Sequence, residues 1–400
     1  MQTRTEAIIN PEILKWARER IGLDPDVAAK KIGVTKDKLT AWENGEKHPS
    51  FKQLYTLAEK YSQPPAIFYL SAIPTDEPLP HDFRHLADIP GYLDPVLIKE
   101  IRRVQRLRED ALDLLEEFGG GKLLSFPSVN LDDDPEEASD KLREALKVSL
   151  REQFGWRDNS IARKIWTEKI EQLGILVFSS ERINLNIFRG VSIGGEGVPV
   201  ILLNGQDSDA GRIFTLIHEF VHLAINSTGV CIPLDYPLDE KTIDSKTEFF
   251  CNRVASGILM PKRYLLEESE VNAANKKTKW SEDKLSPLAL RYSVSREAML
   301  LRLLELGRTN QDHYFSRRKD FLKEYEIYRV RKKEKSIPVP YKYRILNKIG
   351  RAYTKLVLNA LYEDLITTAD VASLTGINLK HMGPVEEELF GRAIIFRHGA

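Results

Sequence analysis

The stretch HEFVH at residues 218–222 contains the side chains best suited to chemistry in this chain. It reads HExxH and lies in a largely apolar run from residue 213 to 225. Residues four apart share a helix face, so His218 and His222 can bind one Zn²⁺ while Glu219 reaches an adjacent water. Zinc lowers the pKa of such a water towards about 7, and a carboxylate can take its proton during attack on a carbonyl. The pattern therefore predicts a catalytic zinc site.

A third protein ligand is expected, because catalytic zinc commonly has three protein ligands and one open position. Glu248 lies 26 residues after His222 in a stretch that reads as helix, a spacing that allows a turn and a returning helix. Cys251, one helical turn further on, is the rival ligand, and Asp239 and Asp244 are weaker rivals. We predict Glu248, since two histidines, one glutamate and an open position form a known peptidase ligand set. Cys251 is expected to be a small buried residue.

These segments together resemble the ImmA/IrrE family of zinc metallopeptidases. The family patterns FTLxHExxH, ExxANxFA and LLMP correspond to residues 214–222, 248–255 and 258–261. The departures are Cys251 for alanine, Val254 for phenylalanine and Ile258 for leucine, and they leave every predicted ligand in place. The resemblance covers roughly residues 140–265. It implies a zincin-like fold, a bound zinc ion and these roles: metal ligands His218, His222 and Glu248, with Glu219 as the general base.

The first 70 residues carry a different pattern, in which a tight turn separates two short helices. The first helix ends at Gly33, and Thr35 can cap a second helix that ends at Asn44-Gly45. Two such helices form a helix-turn-helix. The letters VAAKKIGVT at 27–35, LTAWENG at 39–45 and PS at 49–50 resemble the XRE, or lambda-repressor-like, family over about 60 residues.

In that fold the second helix enters the major groove of DNA and its first residues contact base edges. The resemblance therefore implies double-stranded operator DNA as a partner and four contact residues: Lys36, Asp37, Lys38 and Thr40. Leu39 and Trp42 are expected in the core. Residues 1–70 hold 11 Lys/Arg and 9 Asp/Glu, so a single copy should bind DNA phosphates weakly and we expect a homodimer. The alternative to DNA binding is that this module recognises another protein.

The composition is that of an ordinary globular protein. The chain has 400 residues, 42% hydrophobic and 30% charged, with a formal net charge of zero. This length suggests two to four domains, and the charge balance implies no general attraction to nucleic acid or membrane. We find no apolar run long enough to span a membrane, no signal peptide and no framework of paired cysteines. A cytoplasmic location without membrane partners is expected.

We predict an α+β, mostly helical fold divided into four regions. They are an all-α helix-turn-helix domain at 1–72, a proline-rich linker and connecting helix at 73–130, the zinc peptidase domain at 131–265, and a helical C-terminal region at 266–400. The clearest strands are 174–178 and 198–203, and they should form a small sheet beside the zinc helices.

Two segments of the C-terminal region remain open to interpretation. Residues 288–298 resemble a second helix-turn-helix-like pair, which we expect to pack on the peptidase fold rather than bind DNA. Residues 317–348 contain 12 Lys/Arg and 4 Asp/Glu with four interleaved tyrosines. This composition suits contact with nucleic acid or an acidic protein, and a solvated basic helix is the equal alternative.

These signals predict a transcriptional regulator with a zinc-dependent endopeptidase domain. Relatives of the family cleave repressors or act as antitoxins beside a toxin gene, so the expected partner is a regulatory protein: a repressor, a toxin or the chain itself. The alternative is a non-catalytic DNA-binding antitoxin or sensor that uses the zinc fold as a scaffold. The intact Glu219 favours the enzyme, because a purely structural zinc site needs no base.

Overall fold

The computed structural model describes residues 6–61, 63–74, 95–119, 126–156, 158–226, 229–231, 243–334 and 339–391. It describes no side chains at residues 95, 229–231, 243–245 and 329–334. The protein is α+β and mostly helical, as predicted, and it divides into two compact units, residues 1–103 and 104–400. The predicted linker and connecting helix at 73–130 lie partly outside the described residues.

The first unit is built from short helices. They are α1 (Pro11–Glu19), α2 (Pro25–Ile32), α3 (Lys36–Glu43), α4 (Phe51–Tyr61) and a 3₁₀ helix (Pro65–Tyr69). The division between the two units falls within helix α5 (Pro95–Glu117). Gly33 ends α2 with a left-handed φ of 79°, and the Thr35 hydroxyl then accepts from the Lys38 amide at 3.4 Å. The predicted turn between α2 and α3 is therefore confirmed.

A buried ion pair and an apolar core hold α1 against α3. Leu39 and Trp42 are buried in this core, as predicted. Arg18 donates to the two carboxylate oxygens of Glu43 at 2.7 and 2.9 Å, and it also donates to the Leu23 carbonyl at 2.8 Å. A two-point contact of this kind fixes the relative orientation of the two side chains in addition to pairing their charges. The first turn of α3 remains at the surface, where Lys36 and Asp37 are exposed.

The second unit contains a small sheet between helices. Its strands are β1 (Leu176–Ser180), β2 (Gly190–Ile193), β3 (Val200–Asn204) and β4 (Gly229–Cys231), in the order β1-β3-β2-β4. Strand β3 runs parallel to β1 and antiparallel to β2, which also pairs antiparallel with β4. Side chains on β1 to β3 are buried, which explains the continuous apolar runs in two of these segments. The predicted strands are confirmed to within two residues.

Helices of the second unit cover this sheet and extend its core. They are α6 (Pro135–Leu146), α7 (Leu150–Phe154), α8 (Asn159–Glu171), α9 (Asp209–Ala224), α10 (Ile243–Leu259), α11 (Lys262–Glu267), α12 (Ser269–Asn272), α13 (Glu282–Arg291), α14 (Arg296–Glu305), α15 (Gln311–Glu334), α16 (Tyr341–Ile349), α17 (Arg351–Tyr362), α18 (Thr368–Thr375) and α19 (Met382–Phe390). One apolar core runs from Val129 to Phe321 and includes α13 and α14. The expected packing of residues 288–298 on this fold is confirmed.

Helix α10 is fixed by a close seam with α6. Gly257 of α10 lies so near Ser139 of α6 that a Cβ at 257 would collide with that side chain. The Ser139 hydroxyl also donates to the Val254 carbonyl at 3.0 Å. Nearby, the buried Arg302 of α14 donates to both carboxylate oxygens of Glu136 at 2.7 and 2.8 Å. These contacts set the position of α10, which carries the predicted third ligand.

The described residues of the C-terminal region are mostly helical, as predicted. Helices α16 and α17 pack against β1. In α15, Arg317 pairs with Glu282 at 2.7 Å and Arg318 with Glu297 at 3.0 Å, so part of the charge of the basic stretch is used inside the unit. Along the described ranges of the chain, no helix combines the length and apolarity needed to cross a membrane.

Candidate metal centre

Two packed helices bring the predicted ligands together. His218, Glu219 and His222 come from α9, which begins after Ser208, and Glu248 comes from α10. His218 is 1% exposed, His222 2% and Glu219 0%, while the Glu248 side chain is 23% exposed. The site is therefore a polar cluster inside a core helix, where unpaired polar groups would be costly.

The donor atoms of the three predicted ligands fit a single ion. Nε2 of His218 and Nε2 of His222 are 3.0 Å apart, and Glu248 places one oxygen 3.2 Å from the first and the other 3.1 Å from the second. All the ligand atoms lie within 4.8 Å of one another. Metal bonds of about 2.0–2.2 Å would let these atoms share one zinc-sized ion. Among the described residues, this is the one group of three or more His, Cys, Asp or Glu side chains whose donor atoms could hold a metal ion.

Of the rival ligands, only Cys251 has a described side chain, and it does not join this group. Cys251 is buried in the core, as predicted, and its sulfur is not among the clustered donor atoms. Asp244 lies in α10, but its side chain is outside the described residues, as is the whole of Asp239.

The cluster shifts the pKa values of both glutamates. Burial alone would raise the pKa of Glu248, but the adjacent imidazoles of His218 and His222 hold it well below its usual range. Burial raises the pKa of Glu219, and the two histidines and Ser192 oppose that shift. The two carboxylates, although close together, therefore differ in proton affinity because only Glu248 lies directly against the imidazoles.

Glu219 occupies a narrow space between α9 and β2. A Cβ at Gly190 of β2 would come within 2.7 Å of Glu219 Oε1 and 2.5 Å of Thr215 Cγ2. Neither carboxylate oxygen of Glu219 accepts a hydrogen bond of normal geometry from the described residues, although the Ser192 hydroxyl lies close enough to influence its pKa. Gly190 is not among the site residues predicted from the sequence. A glycine directly before the β-branched Val191 was the one available signal, because a glycine in a strand often marks a close approach of another group.

The four predicted DNA-contact residues lie together on the opening turns of α3. Lys36, Asp37 and Thr40 are exposed and Lys38 is partly exposed. Lys36 forms an exposed ion pair with Asp26 at 2.7 Å, and the Lys38 ammonium lies 5.4 Å from the centre of the Trp42 ring. Exposed pairs contribute little, so Lys36 can exchange this partner for a ligand.

Fold and site together define a chain with an N-terminal helix-turn-helix and an HExxH-bearing α+β unit. Comparison with family models agrees: residues 14–68 match the helix-turn-helix family, and residues 170–304 match the IrrE N-terminal-like domain family of peptidases. The predicted combination of these two modules is therefore confirmed. No curated protein matches the chain. The predicted domain bounds, including 131–265 for the zinc domain, remain predictions.

Proposed function

We propose that this protein is a transcriptional regulator that binds operator DNA and hydrolyses a peptide bond in a regulatory protein: a repressor, a toxin or itself. The convergence of His218, His222 and Glu248 beside the unpaired carboxylate of Glu219 carries this proposal. The IrrE N-terminal-like match supports a peptidase-family domain, and the helix-turn-helix match supports contact with double-stranded DNA. A regulator of this kind works in the cytoplasm, where the operator is.

The site residues divide the chemistry between them. His218, His222 and Glu248 would hold Zn²⁺, which supplies Lewis-acid activation of water and of a substrate carbonyl when bound. Glu219 takes a proton from the attacking water, since both of its oxygens are free to accept a hydrogen bond. Glu219 lies on the same helix between the two histidines. Its carboxylate is therefore beside the proposed ligands but is not itself one of them.

Purified protein is expected to contain about one zinc per chain, and Glu248→Ala should lose most of it. The substitution removes a ligand that spans both imidazoles, at 3.1 and 3.2 Å. Loss of one of three protein ligands should weaken zinc binding by at least about a hundredfold, given the usual sensitivity of such sites. Plasma mass spectrometry after dialysis against a weak chelator measures the retained metal.

Glu267→Gln is a suitable control, because this carboxylate is exposed on α11 and pairs only distantly with Arg263, at 3.8 Å. It should retain wild-type zinc. Full zinc occupancy in Glu248→Ala would contradict the ligand assignment and transfer it to Asp239 or Asp244. Bound iron or manganese in place of zinc would overturn the choice of metal but not the choice of ligands.

We further propose that α3 contacts the operator through Lys36, Asp37, Lys38 and Thr40, as a homodimer on two half-sites. Helix-turn-helix dimers bind half-sites about one helical turn of DNA apart. Lys36→Ala with Lys38→Ala should weaken binding to the promoter of the protein's own gene by more than about tenfold, because specific base contacts contribute about 1–3 kcal/mol each. Gel-shift titration measures the change, and zinc content should be unaffected.

Lys52→Ala with Lys60→Ala removes the same charge from the exposed face of α4 and serves as the control. It should weaken binding only slightly and equally for all DNA sequences. If the two double variants lose affinity equally, α3 is not the recognition helix. If the wild type binds no promoter tested, residues 14–68 recognise a protein instead.

A further inference from the structure

Arg212, near the start of α9, is a buried cation that forms no ion pair with the described residues. It is 8% exposed, and its Nη2 donates a hydrogen bond to the Ser179 hydroxyl at 2.9 Å. No acceptor for its Nε and no carboxylate within ion-pair distance occur among the described residues. Burial, reinforced by nearby Arg163, lowers its pKa to about 10 despite the opposing charges of Asp209, Asp207 and Glu181. Buried arginines are normally paired, so this one needs an explanation.

Arg212 lines a cavity of about 360 Å³ that we call the Arg212 pocket. The cavity lies among α8, α9, β1, β3 and the C-terminal helices α16, α17 and α19. Three more cations line it: Arg163, Lys164 and Arg351. Arg163 pairs with Asp209 at 2.6 Å and Arg351 with Glu388 at 2.6 Å. Lys164 makes no ion pair within the described ranges.

The two acidic residues in the wall do not balance this charge. Glu388 is already shared between Arg351 and Lys342, at 2.6 and 3.3 Å. Burial raises the pKa of Glu171 to about 7, while its carboxylate accepts from the Ala352 amide at 3.1 Å. Its negative charge is therefore incomplete near neutral pH. The Arg212 pocket keeps an excess of positive charge, carried by Arg212 and Lys164.

We infer that the Arg212 pocket binds a small phosphate-bearing ligand, with Arg212 as its principal contact. A guanidinium group presents several donors in a planar fork that matches phosphate oxygens, and the exposed Lys164 in the wall adds a second positive charge. Ser160, Thr167 and Asn347 in the wall add polar groups that can orient a ligand. The volume is at the small end for metabolite sites, which suits a compact phosphate ester rather than a polymer.

This site is separate from the candidate metal centre. None of His218, Glu219, His222 and Glu248 lines the pocket. Arg212 precedes Glu219 by seven residues, close to two helical turns, so both lie on the same face of α9 about 10 Å apart. The inference does not depend on zinc or on peptide hydrolysis. A ligand held by Arg212 would nevertheless contact the helix that carries the metal ligands.

Isothermal titration calorimetry of the full-length protein with inorganic phosphate tests the inference, at constant ionic strength. We expect saturable binding of about one phosphate per chain and a loss of at least about tenfold in affinity in Arg212→Gln, since hydrogen bonds to charged groups are strong. Arg263→Gln removes the same charge from an 81% exposed side chain and should leave affinity unchanged. His218→Ala should also retain binding, which excludes phosphate on the metal.

Thermal unfolding separates a ligand contact from a structural one. Without phosphate, Arg212→Gln should unfold at the same or a higher temperature than wild type, because it removes an unpaired buried charge. A lower unfolding temperature together with unchanged phosphate affinity would make Arg212 structural and overturn the inference. If this variant does not fold, Lys164→Gln must weaken phosphate binding instead. Absence of saturable binding to wild type, or tighter binding of malonate than of phosphate, also overturns it.

Discussion

Glu219→Gln is expected to lower the rate of peptide hydrolysis by roughly two to four orders of magnitude while the zinc content stays unchanged. The amide has the shape of the carboxylate but cannot take a proton from water. Glu219 is not among the clustered metal-binding side chains, so its replacement leaves all three ligands in place. Mass spectrometry of the protein incubated with the products of neighbouring genes, and of the protein alone, measures cleavage; plasma mass spectrometry measures metal.

The outcomes of this experiment separate the enzyme from its alternative. Glu267→Gln, an exposed carboxylate changed in the same way, should cleave at the wild-type rate. Unchanged cleavage by Glu219→Gln would place the general base elsewhere. Zinc-loaded wild type that cleaves none of these proteins would instead support the non-catalytic antitoxin or sensor, in which the same fold serves as a scaffold.

Gly190→Ala should cause a second large loss, although residue 190 is neither ligand nor base. Its Cβ would lie 2.7 Å from Glu219 Oε1 and 2.5 Å from Thr215 Cγ2, both closer than normal contacts. Overpacking of this kind costs about 1–3 kcal/mol of unfolding free energy. The displaced Glu219 should also lower hydrolysis by at least about tenfold. Chemical denaturation and the cleavage assay measure the two effects.

Thr215→Ser in the Gly190→Ala background tells the two clashes apart. The serine lacks Cγ2, so the double variant should regain part of the lost stability while the collision with Glu219 persists and hydrolysis stays low. Thr215→Ser alone should be close to wild type in cleavage. If Gly190→Ala keeps full activity, strand β2 can retreat from α9 and the spacing between them does not position the base.

Features that depend on interactions between residues close in the sequence could be predicted from the sequence. Gly33 and Thr35 mark the turn between α2 and α3 through backbone conformation and capping, which depend on few neighbours. His218 and His222 share a face by helix geometry alone. Glu248 needed the further assumption of a returning helix, and the structure places its carboxylate within 3.2 Å of both imidazoles.

Features that depend on packing between distant segments were not predictable. Gly190 faces Glu219 only because β2 pairs with β3 in one register and α9 lies across that pair. Arg212 reads as an ordinary helix residue until β1 and the C-terminal helices enclose it. The net positive charge of residues 317–348 gave no sign that Arg317 and Arg318 pair with Glu282 and Glu297, which precede them by 35 and 21 residues.

On the proposed metal assignment, the seam between Gly257 and Ser139 influences the candidate metal centre from a distance. Gly257 follows Glu248 by nine residues on the rigid helix α10, about 13 Å along its axis. A thicker seam should displace α10 and with it the Glu248 carboxylate opposite the histidines. Ions differ in the bond lengths and coordination geometry they favour. On that assignment, a larger side chain at residue 139 or 257 should change which ion the site prefers although all three proposed ligands are unchanged.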